Sequence, residues 1–185
     1  MKFDQTPLPG AFLIQQERIA DERGYFARTW SRDEFGAHGL TTDIVHANTS
    51  FSSRRGTLRG MHWQDEPYRE SKLVRCAAGA IYDVIVDLRG DSATFGRHVG
   101  ATLSAENGTM MYCPEGFAHG FITLTDDVEI AYQMSQVYAP EHARGARWDD
   151  PFFAITWPLS PTVMSERDRN YPDFAPTSTV ASDGA

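Results

Sequence analysis

The stretch Leu58-Arg-Gly-Met-His-Trp-Gln64, set beside Pro114-Glu-Gly-Phe-Ala-His-Gly120, decides the reading of this chain. In the first stretch, period-two alternation places Leu58, Gly60, His62 and Gln64 on one face of a strand and Arg59 on the other. For Arg59 and His62 to serve one site, Gly60 must mark a bulge or bend. A strand histidine taken alone is more often packed or on the surface than catalytic, so His62 needs partners before it means anything.

Working outward, runs of β-branched and aromatic residues recur with turn signals between them, at Ala11-Phe-Leu-Ile-Gln15, Ile44-Val-His46, Lys72-Leu-Val-Arg-Cys76 and Ala80 to Leu88. Further strands are expected at His98 to Ser104, Gly108 to Cys113, Gly120 to Leu124 and Val128 to Tyr138, a spacing that suits a sandwich or barrel. Between Ile81 and Leu88, Tyr82, Val84, Val86 and Leu88 share one face, while Ile81, Asp83, Ile85 and Asp87 share the other. Asp83 therefore points either into a pocket or into solvent. One short helix is expected, with Ser31 capping Arg32 to His38 and Glu34 completing a capping box. No internal repeat of solenoid or propeller period is present. Residues 1–172 read as a single domain, and 173–185 as a loose tail without periodicity.

At 185 residues the chain suits one substantial core, and 41% hydrophobic, 12% aromatic and 23% charged residues give the profile of a soluble globular protein. It has no 18-residue apolar run, and Met1-Lys-Phe-Asp-Gln-Thr6 lacks the apolar stretch of a secretory signal, so the cytosol is the expected location, with no membrane partner. Cys76 and Cys113 lie in apolar strand-like stretches and are expected to be buried thiols rather than a disulfide. A net charge of −8 argues against nucleic acid as a partner, because phosphate neutralisation needs basic surface. An anionic ligand would need a local basic pocket.

The segment Pro114 to Gly120 is similar to half of a cupin barrel signature, whereas Leu58 to Gln64 has one histidine where a metal-binding cupin usually carries His-x-His. His62 and His119 without a clear third ligand make a poor transition-metal site, so no metal and no other cofactor is expected. Lys72, opening its strand, is either a solvated strand end or an ammonium aimed at developing oxyanion charge. Tyr132 shares a face with Val128, Ile130 and Met134, as a core tyrosine would, yet a phenol at a barrel mouth also exchanges protons. Asp168 sits in Met164-Ser-Glu-Arg-Asp-Arg169, a cluster that reads as exposed surface unless Asp168 fixes the tautomer of His62.

Taken together, Asp21-Glu-Arg-Gly-Tyr-Phe26, Leu58 to Gln64, Lys72 to Cys76, Tyr82 to Arg89, Pro114 to Phe121, Tyr138-Ala-Pro140, Arg147 to Pro151 and Ser165 to Asp168 resemble the dTDP-4-dehydrorhamnose 3,5-epimerase family from about residue 20 to residue 172. The resemblance implies an all-β, metal-free cupin jelly roll with short peripheral helices, usually a homodimer in which the N-terminal segment of one subunit completes the site of the other. It implies that His62 is the base beside the sugar ketone, that Asp168 orients it, that Tyr132 is the acid on the opposite face and that Lys72 polarises the C4 carbonyl. It further implies that Arg23, Arg59, His119 and Arg167 gather the nucleotide diphosphate and sugar, Arg167 replacing a common lysine. Tyr138 would stack on the base, with Phe26 near it and Asn48 retained. The expected activity is inversion at C3 and/or C5 of a nucleotide-diphospho-4-keto-6-deoxyhexose, with the dTDP-linked sugar as default. Arg28, His46 and Ala143 depart from the family pattern of glutamate, glutamine and glutamate, which makes a CDP- or GDP-linked sugar a rival. A 3,4-ketoisomerase of the same fold and a non-catalytic sugar-nucleotide-binding cupin are the other readings.

Overall fold

The computed structural model describes residues 1–176. In chain order the elements are β1 (Lys2–Gln5), β2 (Phe12–Gln15), β3 (Arg18–Asp21), β4 (Gly24–Ala27), α1 (Arg32–Ala37), β5 (His46–Ser52), β6 (Leu58–Gln64) and β7 (Lys72–Ala78). They continue with β8 (Ala80–Asp87), β9 (His98–Ser104), β10 (Thr109–Cys113), β11 (Phe117–Thr123), β12 (Val128–Met134), β13 (Ala143–Gly145) and α2 (Glu166–Arg169). One sheet runs β1-β2-β10-β7-β12-β5, a second runs β13-β6-β11-β8-β9, and β3 and β4 form a separate hairpin. Strand neighbours such as β7 and β12, or β11 and β8, pair antiparallel. This is a jelly roll of the cupin type, and sequence-distant strands become neighbours in it.

The alternation read in β8 sorts correctly between layers. Ile81 and Ile85 join Val74, Cys76, Met111, Val128 and Ile130 in the core between the sheets, whereas Tyr82, Val84, Val86 and Leu88 pack outside the five-stranded sheet with Met61 and Phe153. The inner face of β8 is therefore the face that carries Asp83. Both cysteines are buried and unpaired, and burial pushes the Cys76 thiol up to about 11. Among the described residues, no helix is long and apolar enough to cross a membrane.

Helix α1 starts as expected, with the Ser31 side chain accepting from the Glu34 N–H at 3.5 Å. The capping box does not close. The Glu34 carboxylate instead accepts from the Met1 amine at 2.6 Å, because a charged donor outcompetes the neutral Ser31 N–H. The β12 strand stops at Met134, so 135–138 form a connection rather than strand. Residues 177–185 of the expected tail lie outside the described residues. Phe174, however, packs on Trp63, Phe152 and Phe153, and its N–H donates to Asp150 at 2.6 Å, so the folded body extends past residue 172.

Gly60 has φ +127, and the β11–β6 register shifts between His119 and Phe121 opposite it. A Cβ at Gly60 would lie 2.5 Å from the Gly120 Cα, so only glycine permits this approach. The break in alternation turns both Arg59 and His62 toward the same cavity.

Candidate active site

Between the two sheets lies a cavity of about 900 Å³. The five-stranded sheet supplies Arg59 and His62 from β6 and His119 from β11, while the six-stranded sheet supplies Asn48 from β5, Lys72 from β7 and Tyr132 from β12. Tyr138 enters from the connection after β12, and α2 brings Arg167 and Asp168. Nine of the eleven expected site residues thus share one wall-to-wall space. His62 faces it from one sheet, with Lys72 and Tyr132 on the other.

His62 Nε2 lies 2.7 Å from Asp168 Oδ1. When Nε2–H donates to that carboxylate, the Nδ1 lone pair is left as the proton-accepting position of the ring. Asp168 reaches His62 because Ser165 caps α2, its side chain accepting from the Asp168 N–H at 3.0 Å, and this turn carries the carboxylate inward to 7% exposure. Burial alone would raise the Asp168 carboxyl. The hydrogen bond from His62, the charge attraction to it and the Gly60 N–H win, holding the carboxyl below its ordinary range.

Two further basic side chains of the wall are backed by carboxylates in the same way. His119 Nε2 lies 2.7 Å from Oδ1 of the fully buried Asp83, which resolves the direction of Asp83 in favour of the barrel interior. Lys72 Nζ lies 3.0 Å from Glu70 Oε1, in a pair whose side chains are 10% and 4% exposed. Arg59 is braced by donation to Ser52 Oγ at 3.2 Å and to the Phe51 carbonyl at 3.0 Å. The wall therefore concentrates Lys72, Arg59 and Arg167 within an acidic chain.

Sequence reasoning missed Glu70 and Tyr171. Glu70 stands two residues before Lys72, a same-face spacing along an extended chain that signals the pairing. The Tyr171 ring meets His62 edge to face at 6.0 Å and occupies the space that a Cβ on Gly145 would need, 2.3 Å away. Nothing in local pattern marks that packing.

Arg23 and Phe26 do not reach the cavity. They lie on the exposed β3–β4 hairpin, where Arg23 is bound to Asp21 and Phe26 is 64% exposed. Of the positions that depart from the family pattern, His46 and Ala143 line the cavity, whereas Arg28 stands 3.6 Å from Glu34 and outside it. Among the described residues no group of three or more His, Cys, Asp or Glu side chains converges as a metal ion would require.

The model of the dTDP-4-dehydrorhamnose 3,5-epimerase family matches residues 5–176. The chain is 43% identical over 175 residues to the dTDP-4-dehydrorhamnose 3,5-epimerase of Sinorhizobium fredii, covering 94% of this chain and 90% of that one. Its fold matches the crystal structure of the dTDP-4-dehydrorhamnose 3,5-epimerase of Elizabethkingia anophelis with a TM-score of 0.90 at 38% identity, over 94% of this chain and 96% of the other. It also matches ChmJ, a 3'-monoepimerase of Streptomyces bikiniensis solved with dTDP-quinovose, with a TM-score of 0.85 at 33% identity, over 92% and 86% of the two chains. A family match across almost the whole described length joins a cavity built from the residues that motivated it: the chain belongs to the dTDP-4-dehydrorhamnose 3,5-epimerase family.

Proposed function

We propose that this chain is an isomerase that inverts C3 and C5 of a nucleotide-diphosphate 4-keto-6-deoxyhexose, with dTDP-4-dehydro-6-deoxyglucose as substrate. The observation that carries the reading is the His62–Asp168 contact at 2.7 Å in a cavity whose opposite sheet bears Lys72 and Tyr132.

The chemistry follows from that arrangement. His62 Nδ1 takes the proton from the carbon beside the C4 ketone, and the C–H electron pair moves to the C4 oxygen as an enolate. Asp168 stabilises the imidazolium that forms. Lys72 donates to the enolate oxygen, lowering the barrier to a proton loss that a near-neutral base could not otherwise achieve. Tyr132 returns a proton from the opposite face, the enolate pair reforms a C–H bond, and the centre is inverted. Proton exchange with water restores the phenol and the neutral imidazole. Arg59, Arg167 and His119 hold the diphosphate and sugar, Arg supplying the planar donor fork that phosphate favours. Tyr138, exposed at the rim, stacks on the base, and Asn48 supplies a polar contact beside Tyr132, its register partner.

Two parts of the reading reach beyond the single chain. The hairpin that carries Arg23 and Phe26 exposes Ile19, Tyr25 and Phe26, and we assign it to completing the cavity of a second subunit in a homodimer. Inversion at C3 alone is the second reading, supported by the fold match to a 3'-monoepimerase.

The test is proton NMR in heavy water with chelator-treated protein and dTDP-, CDP- and GDP-linked 4-keto-6-deoxysugars in parallel. Loss of the C3 and C5 proton signals fastest with the dTDP sugar is expected. Loss at C3 alone would select the monoepimerase, and a faster CDP or GDP sugar would overturn the nucleotide assignment. No exchange with any of the three would overturn the reaction, and formation of a 3-keto product would make the chain a ketoisomerase.

A further inference from the structure

The mechanism above leaves one buried charge in the cavity wall without a task. Glu70 lines the cavity at 4% side-chain exposure, with Oε1 3.0 Å from Lys72 Nζ and Oε2 without a hydrogen-bond partner among the described residues. A carboxylate stripped of water with half of its acceptor capacity unused is a poor choice for stability, since a buried polar group needs its partners. An ammonium has three donors on a flexible four-carbon stem and no preferred direction of its own. Its other contact within reach, the His62 carbonyl at 3.5 Å, is too long to fix it.

We propose that Glu70 is a positioning residue for Lys72, tethering the ammonium to the wall so that its remaining N–H bonds point at the site where enolate charge develops. This rests on the reaction proposed above for the same cavity. Glu70 touches no reacting atom. It removes the rotational freedom of Lys72 before substrate arrives, so the oxyanion meets a donor already in place and little reorganisation remains for the transition state. The negative charge of Glu70 also offsets the positive charge of Lys72, giving the buried ammonium one fixed partner.

The composition makes the idea directly readable, because the chain contains two lysines, Lys72 and Lys2, and Lys2 is exposed beside Asp4. Lysine-labelled protein therefore gives two sets of side-chain NMR signals. In the wild type the two ε-methylene protons of Lys72 should resonate apart, as expected of a pinned side chain, and those of Lys2 together. Glu70→Gln keeps size and an acceptor but not the charge, and Glu70→Asp keeps the charge but withdraws it by one methylene. Both should merge the Lys72 pair. Both should slow deuterium incorporation into the ketosugar about tenfold, with KM within about twofold of wild type. A merged pair in the wild type, or a split retained in both variants, overturns the tether. Merged signals with unchanged exchange overturn its role in the reaction, and wild-type exchange in Glu70→Asp means that charge without position suffices. If the wild type exchanges no ketosugar proton, the proposed reaction has failed, while the NMR arm still decides the tether.

Discussion

Replacing Asp168 by Asn tests the centre of the site with the least change in shape. The Asp168 carboxylate takes the His62 Nε2 at 2.7 Å through Oδ1, and Oδ2 faces the Gly60 N–H at 3.5 Å. An amide nitrogen turned toward His62 would donate to Nε2 and force the ring proton onto Nδ1, the atom proposed to accept the substrate proton. An amide oxygen turned that way keeps the tautomer but supplies no negative charge to the imidazolium. Losing a hydrogen bond to a charged group is worth about 1.5–3 kcal/mol, which corresponds to roughly tenfold to 150-fold in rate. The wrong tautomer would add to that. Deuterium exchange into the ketosugar should therefore fall by at least tenfold, with KM little changed because Asp168 lies behind His62. Stability supplies a second readout. A carboxyl lowered in the folded chain contributes stability that is present above its unfolded pKa of about 3.9 and is lost as pH falls through the folded value. Urea titrations of Asp168→Asn and wild type should thus differ most above about pH 4 and converge in acid. Exchange within twofold of wild type in a folded Asp168→Asn protein would refute the dyad, and a variant that cannot fold would make Asp168 structural.

Three other outcomes are expected. Tyr132→Phe should retain the first proton removal, seen as deuterium wash-in, while product formation falls much further; equal losses would contradict an acid role for the phenol. Arg23→Ala and His62→Asn, each inactive alone, should recover about a quarter of wild-type activity when co-expressed in equal amounts, because half of the dimers then contain one intact site. No recovery would place Arg23 outside the partner's cavity. Asp87 is fully buried and held at about 2; burial would raise it, but hydrogen bonds from Arg89, Ser92 and Thr94 prevail. Asp87→Asn should cost about 2–3 kcal/mol near neutral pH, a figure kept modest because Arg89 is partly exposed, and thermal melts should show the deficit closing as pH falls from about 4 toward 2.

What the amino-acid order made legible divides along a physical line. The barrel could be read because each strand records its own burial in a period of two, and the split of Ile81 from Tyr82 in β8 came through unchanged. Gly60 could be read as a break because two candidate site residues, Arg59 and His62, stood on opposite faces of one strand, and the structure resolves the conflict through close contact between Gly60 and Gly120. The dyad was out of reach of pattern, since His62 and Asp168 stand 106 residues apart and α2, four residues long, is too short to display a helical period. Family resemblance supplied that pairing, and the 2.7 Å contact now gives it a geometry.

The residues that escaped both routes, Glu70 and Tyr171, share a property: neither need touch the reacting sugar, and each instead constrains a residue assigned to do so. Motifs select groups for their chemistry, whereas a tether or a packing wedge is selected by what it immobilises, which appears only when the barrel closes. Arg23 and Phe26 are the reverse case, motif residues that the folded chain leaves outside its own cavity. A hairpin exposing Ile19, Tyr25 and Phe26 gains by burying that apolar surface, and an acidic chain gains by adding a guanidinium to an anion site. The homodimer proposed above would satisfy both demands at once and so would give the two departures from the single-chain cavity one explanation.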